Sequence, residues 1–166
     1  MSSKSAFKPV SGALATLLLS VSSAVWASSD LAFAKTDFPT ALAAMSAAGK
    51  PLVLYVAHST CPYCKRLERE VMPAVINTAT YQQAISLQKL LWDDPTPVRW
   101  RNNELITPDD LVTRYRVVAT PTILFLNAQG EEVAKRIEGY NDADFYWYYF
   151  DQSIETARQA VQSGGQ

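Results

Sequence analysis

The sequence predicts an α/β protein built on a mixed β-sheet with helices on both faces. Three observations carry that reading. Leu52-Val53-Leu54-Tyr55-Val56-Ala57 is a continuous apolar run of strand length, the pattern of a strand buried on both sides. Segments of helical period stand before and after it. Residues 121–126 and 131–138 flank the turn sequence Asn127-Ala128-Gln129-Gly130, which reads as an antiparallel hairpin.

Taken in order, residues 38–48 carry Phe38, Leu42 and Met45 at helical spacing and stop before Gly49, the residue type favoured just past a helix end. The strand over 52–57 follows. A helix opens at Cys61, with Pro62 in the first turn, where a missing N–H costs nothing. Leu67, Val71, Val75 and Ile76 form its apolar stripe, and Pro73 is expected to bend it. Residues 85–92 read as a second strand, and 93–106, rich in proline, arginine and asparagine, as a long loop. Thr107-Pro108-Asp109-Asp110 is a helix start: a capping hydroxyl, a proline, then two acids on the positive end of the dipole. Residues 117–127 lead into the hairpin, and Asn141 is expected to cap a last helix reaching about residue 162. The order α-β-α-β-α-β-β-α implies the layered architecture stated above.

The chain has 166 residues, 48% of them hydrophobic, with a net charge of −1. That suits one folded domain and gives no electrostatic reason to expect a nucleic-acid partner. Its start is different in character. Lys4 and Lys8 precede an uncharged, small-residue apolar stretch over 12–25, and Val25-Trp26-Ala27 offers a cleavage site, with Ala32-Phe33-Ala34 as a second one. A membrane anchor is the competing reading, but the stretch is short and serine-rich for a span. The sequence therefore divides into a signal peptide over 1–27, a linker over 28–35, a domain over 36–162 and a disordered tail over 163–166. Cleavage would remove two lysines and no acid, taking the net charge from −1 to −3.

Cys61-Pro62-Tyr63-Cys64 holds the only two cysteines. Cysteines three apart on a helical turn have Cβ atoms about 5–6 Å apart, close to what a disulfide accepts. A bridge closing so short a loop contributes little stability, so reversible redox chemistry is the better use of the geometry. Thiol–disulfide exchange needs a thiolate, and Cys61 sits where the helix N-terminus favours an anion. Cys64, one turn further in, is placed to resolve a mixed disulfide on Cys61. Lys65 and Arg66 add positive charge nearby, either as a functional field or as ordinary solvated surface.

Strand–CPYC–helix, then Ala119-Thr120-Pro121-Thr122 opening a strand, then a hairpin ending in Gly139-Tyr140, resembles the thioredoxin-like superfamily over about 36–161. The pattern is most similar to exported SoxW-type thioredoxins linked to sulfur oxidation, which share the CPYC centre, a longer loop after the second strand and a Leu-x-x-Arg-Tyr-x-Val stretch. Here that stretch is Leu111-Val112-Thr113-Arg114-Tyr115-Arg116-Val117. The resemblance implies a cis Thr120–Pro121 bond facing the cysteines. It also implies that Pro62, Tyr63, Thr120 and Pro121 contact substrate, with Thr120 offering backbone groups to an extended segment.

The chain also departs from ordinary thioredoxin. The family's buried acid, which assists proton transfer from the buried cysteine, would fall at Tyr55, and its tryptophan before the first cysteine is Thr60. Water, or an inward Tyr55 hydroxyl, would have to replace the acid. His58, the only histidine, stands three residues before Cys61 and reads either as an acid–base modulator or as a loop residue without a role.

The activity expected is thiol:disulfide oxidoreduction outside the cytoplasm, with no cofactor beyond the Cys61–Cys64 bridge. The expected partners are a periplasmic protein disulfide as substrate and a membrane thiol:disulfide carrier as electron donor. A disulfide oxidase or isomerase is the alternative, because potentials on such folds span about −270 to −120 mV. A redox or metal-carrying binding module without turnover is the third reading. His58, Cys61 and Cys64 offer only three donors, so no metal is expected. Two surfaces invite a partner or a plain structural account: six successive aromatics over 145–150, and Arg99-Trp100-Arg101 in the long loop.

Overall fold

A computed structural model describes residues 38–164. The signal peptide, the linker and the last two residues of the tail lie outside the described residues. Helix α1 (Phe38–Ala48) leads into strand β1 (Leu52–Ala57), every residue of which is buried. The helix opening at the cysteines is α2 (Pro62–Glu70). Two short helices, α3 (Met72–Asn77) and α4 (Ala79–Ala84), continue from it to strand β2 (Ser86–Leu91). The bend expected at Pro73 is a full break two residues earlier, at Val71 (φ −121°, ψ −50°). Proline has no N–H to bond the preceding turn and crowds the residue before it, so the chain restarts a helix with Pro73 in its first turn.

The segment over 93–106 is more ordered than a loop. Strands β3 (Val98–Arg99) and β4 (Leu105–Ile106) pair antiparallel around a turn of 3-10 helix at Arg101–Asn103. Trp100 is fully buried there, edge-on to Phe38 (4.7 Å between ring centres) and to Tyr115 (6.0 Å). Of the two accounts of Arg99-Trp100-Arg101, packing is therefore the one observed for the indole. Helix α5 (Pro108–Arg114) begins as expected, with Thr107 accepting a hydrogen bond from the Asp110 amide.

Strand β5 (Thr122–Leu126) lies against β1 in antiparallel register, Tyr55 opposite Ile123, while β2 lies on the other side of β1 in parallel register, Tyr55 opposite Lys89. The hairpin return is shorter than expected: β6 is only Ile137–Glu138, with an isolated bridge from Leu126 to Glu132. Gly130 at the turn needs its positive φ of 71°, and a Cβ there would meet Trp100 and Arg101 at 3.0 Å. The hairpin tip and the ordered segment thus press on each other. The last helix, α6 (Ala143–Ser163), is capped by Asp142 rather than Asn141, its carboxylate accepting from the Phe145 amide at 3.1 Å.

The sheet order is β2-β1-β5-β6, a mixed sheet with helices on both faces. One core cluster joins Val53, Tyr55, Ala57, Ile123 and Phe125 to residues of α2 and α6; the other joins Leu52, Leu54, Val56, Leu124 and Leu126 to α1, α5 and Trp100. Among the described residues, no helix is long and apolar enough to cross a membrane.

Candidate active site

The site is assembled where β1 ends. After Ala57 the chain turns through His58-Ser59-Thr60, and the Cys61 amide donates to the His58 carbonyl at 3.1 Å. Asp93, just past β2, clamps this turn: its carboxylate accepts from the Ser59 amide at 3.0 Å and from the Ser59 hydroxyl. Those hydrogen bonds, more than the His58 charge, hold the Asp93 carboxyl below the usual aspartate range. The His58 ring stands on the same turn, 3.6 Å from Asp93 and 3.1 Å from the Thr60 hydroxyl.

Cys61 is the N-cap of α2 and is bridged to Cys64, with Cα atoms 5.3 Å apart. The Cys64 amide points at Cys61 Sγ from 3.0 Å. A backbone donor at a helix start is the environment that stabilises a sulfur anion when the bridge opens. Cys61 is 9% exposed and Cys64 2%, so Cys61 is the more accessible residue of a largely buried pair. Pro62 and Tyr63 are exposed between them, Tyr63 by 55%. The Thr120 carbonyl lies 3.4 Å from Cys61 Sγ, and the Thr120–Pro121 bond is cis. Lys65 is exposed on the outer side of the first turn.

Beneath the bridge, Tyr55 is wholly buried on β1. Its hydroxyl donates to Glu68 Oε1 at 3.0 Å and lies 3.4 Å from the Cys64 carbonyl. Burial first, and then the Glu68 carboxylate, raise the Tyr55 phenol well above the usual tyrosine range. Lys89 on β2 completes the group, 2.7 Å from Glu68 Oε1 and 5.7 Å from the centre of the Tyr55 ring. Tyr140 and Tyr146 lie on the same face, ring centres 5.5 Å apart; the Tyr140 hydroxyl donates to Glu70, while the Tyr146 hydroxyl is buried without a partner.

A family model described as a thioredoxin-like domain matches residues 38–154. The chain belongs to the thioredoxin-like family. Among solved structures of that fold, a putative disulphide-isomerase from Bacteroides thetaiotaomicron is 26% identical, with a TM-score of 0.57 over 75% of this chain and 93% of that one. The periplasmic thioredoxin SoxS from Paracoccus pantotrophus is 25% identical, with a TM-score of 0.47 over 65% and 99%. A thioredoxin from Thermus thermophilus is 24% identical, with a TM-score of 0.49 over 69% and 82%. No curated protein matches the chain.

As a thioredoxin-like protein, the chain brings Cys61, Cys64, Thr120 and Pro121 together around one pair of sulfurs, with Pro62 and Tyr63 at the rim. His58 and Lys65 flank the turn, the His58 ring set against Asp93 and the Thr60 hydroxyl and Lys65 open to solvent. Among the described residues, no group of three or more His, Cys, Asp or Glu side chains could hold a metal ion. Sequence reasoning missed Glu68, Lys89 and Asp93. Glu68 could have been found, because it follows Cys64 by four residues on one helix. Lys89 and Asp93 depend on strand register and a distant loop.

Proposed function

We propose that this protein is an exported thiol:disulfide oxidoreductase that reduces or exchanges disulfides of periplasmic proteins through Cys61 and Cys64. The observation that carries the reading is the Cys64 amide directed at Cys61 Sγ at the mouth of α2, with the less accessible Cys64 behind it. Cys61 attacks the substrate disulfide as thiolate, giving a mixed disulfide and a released substrate thiol. Cys64 then attacks Cys61 Sγ, the Cys61–substrate bond breaks, and the enzyme is left oxidised. Thr120 backbone groups and the Pro121, Pro62 and Tyr63 rim hold the substrate segment in extended form.

Export is supported by Lys4, Lys8 and the apolar stretch over 12–25. In an oxidising compartment the reduced enzyme must be regenerated, so a membrane thiol:disulfide carrier is its electron donor. The SoxW-type assignment rests on the Leu111–Val117 stretch and Thr120-Pro121-Thr122. Oxidase or isomerase action is the second reading, favoured by the likeness to the putative disulphide-isomerase.

One experiment separates these readings: the Cys61/Cys64 potential measured alongside turnover of insulin disulfides. A potential near −270 mV with turnover is the expected result; one near −120 mV moves the protein to the oxidase class. Absence of any turnover would sink both.

A further inference from the structure

Exchange at a CxxC pair requires a proton to leave and return at the buried sulfur, and solvent reaches Cys64 poorly. One carboxylate stands close to that turn. Glu68 follows Cys64 by four residues on α2, so their Cβ atoms are about 5–6 Å apart. Helical side chains lean toward the N terminus, which lays the Glu68 side chain over the turn carrying Cys64. Tyr55 marks the same place, since its hydroxyl reaches both Glu68 Oε1 (3.0 Å) and the Cys64 carbonyl (3.4 Å). Lys89 holds the carboxylate from the neighbouring strand at 2.7 Å.

We propose that Glu68, held by Tyr55 and Lys89, is the acid–base partner of Cys64. The inference rests on the exchange reading above and deepens it. As Cys64 Sγ attacks the Cys61–substrate mixed disulfide, its S–H proton passes to the Glu68 carboxylate. The Cys61–Cys64 bond forms, the bond from Cys61 to the substrate sulfur breaks, and the leaving thiolate takes its proton from solvent. Reduction of the bridge runs the transfer backwards, returning the proton from Glu68 to Cys64. Tyr55 and Lys89 are positioning residues. The titratable groups in contact with the Glu68 carboxylate are Tyr55 from β1 and Lys89 from β2; Cys64 stands one turn before it on α2, and Tyr146 of α6 acts on Tyr55. Removing the carboxylate alone would leave Lys89 to favour the Cys64 thiolate, so a purely electrostatic role predicts faster resolution and a proton-accepting role predicts slower resolution.

The test follows the reduced full-length protein against a chromogenic aromatic disulfide. Its first, concentration-dependent release reports Cys61, and its second, concentration-independent release reports resolution by Cys64. In Glu68→Gln the first release is expected unchanged, and the second slowed about tenfold or more near pH 7, within the range of general acid–base effects. The deficit should close above about pH 9, where a free thiol ionises unaided. Glu68→Asp should recover part of the rate, and Tyr55→Phe, which keeps the ring in the core, should show a smaller slowing. A second release as fast as or faster than the parent's in Glu68→Gln, at every pH, overturns the proposal. Should that variant fail to fold, an unchanged second release in Tyr55→Phe overturns it equally. Failure of the parent itself to give the first release overturns the exchange reading instead.

Discussion

The two faces of the sheet are built from alternate residues of the same strands, yet they differ in chemistry. Toward α2 and α6, β1 turns Val53, Tyr55 and Ala57, and the cluster around them includes both cysteines and the hydroxyls of Tyr55, Tyr140 and Tyr146. Toward α1 and α5 it turns Leu52, Leu54 and Val56, and the buried cluster is aliphatic apart from Met45, Phe38 and the Trp100 indole, with Trp92 and Tyr115 packed against its edge. Strand period alone makes the division, because a step of one residue changes the face. One face holds a reactive group with its polar attendants, and the other supplies dry packing that fixes the strand on which they stand.

Substitutions on one face should therefore be read in chemistry and those on the other in stability. The largest effect is expected from Cys61→Ser, which should bring disulfide exchange to background while moving the melting temperature by only a few degrees, since the bridge closes a very short loop. Trp100→Ala should do the reverse. It should cost about 3–5 kcal/mol in denaturant unfolding and leave Cys61 reactivity of the folded protein unchanged. Leu54→Ala should cost about 2–5 kcal/mol with the same indifference in exchange; a comparable loss of exchange rate would show that the two faces are coupled. A smaller effect concerns acid. Asp93 has a lowered folded pKa, so its contribution is present above the unfolded value of about 3.9 and is lost as pH falls through the folded one. The protection factor of the Ser59 amide should fall across that window, and in Asp93→Ala it should already be low at neutral pH. The smallest effect is expected at the exposed aromatics of α6. Phe145→Ser should change stability by no more than about 0.5 kcal/mol, because its side chain is open to solvent.

Sequence reasoning succeeded where local rules suffice. Bounds of α1 and β1 follow from apolar period and Gly49, and Thr107 declares the start of α5 by its cap. It failed where partners are distant. Two-residue strands such as β3 and β6 carry no detectable alternation, so the ordered segment around Trp100 read as loop and the hairpin return as too long. The break at Val71 was displaced from Pro73 because a proline acts on the turn before it. Six aromatics in a row concealed which were buried; Tyr146 and Phe150, four apart, face the core, while Phe145, Tyr148 and Tyr149 do not. At the site, CPYC and Thr120-Pro121 were legible as motifs. The polar layer under Cys64 was not, because a parallel register sets Lys89 opposite Tyr55.

That register bears on how copies of the chain behave in concentrated solution. Among the described residues β2 is an outer strand, and its six residues present a rim of backbone groups on which another chain could stack. Gln88 and Lys89 stand in the middle of it, and charge on an outer strand is one way proteins discourage such stacking. Lys89 is the one charge among the six residues of this strand, and it is paired with Glu68. A Lys89→Val change chosen for its strand propensity would be felt as turbidity on storage.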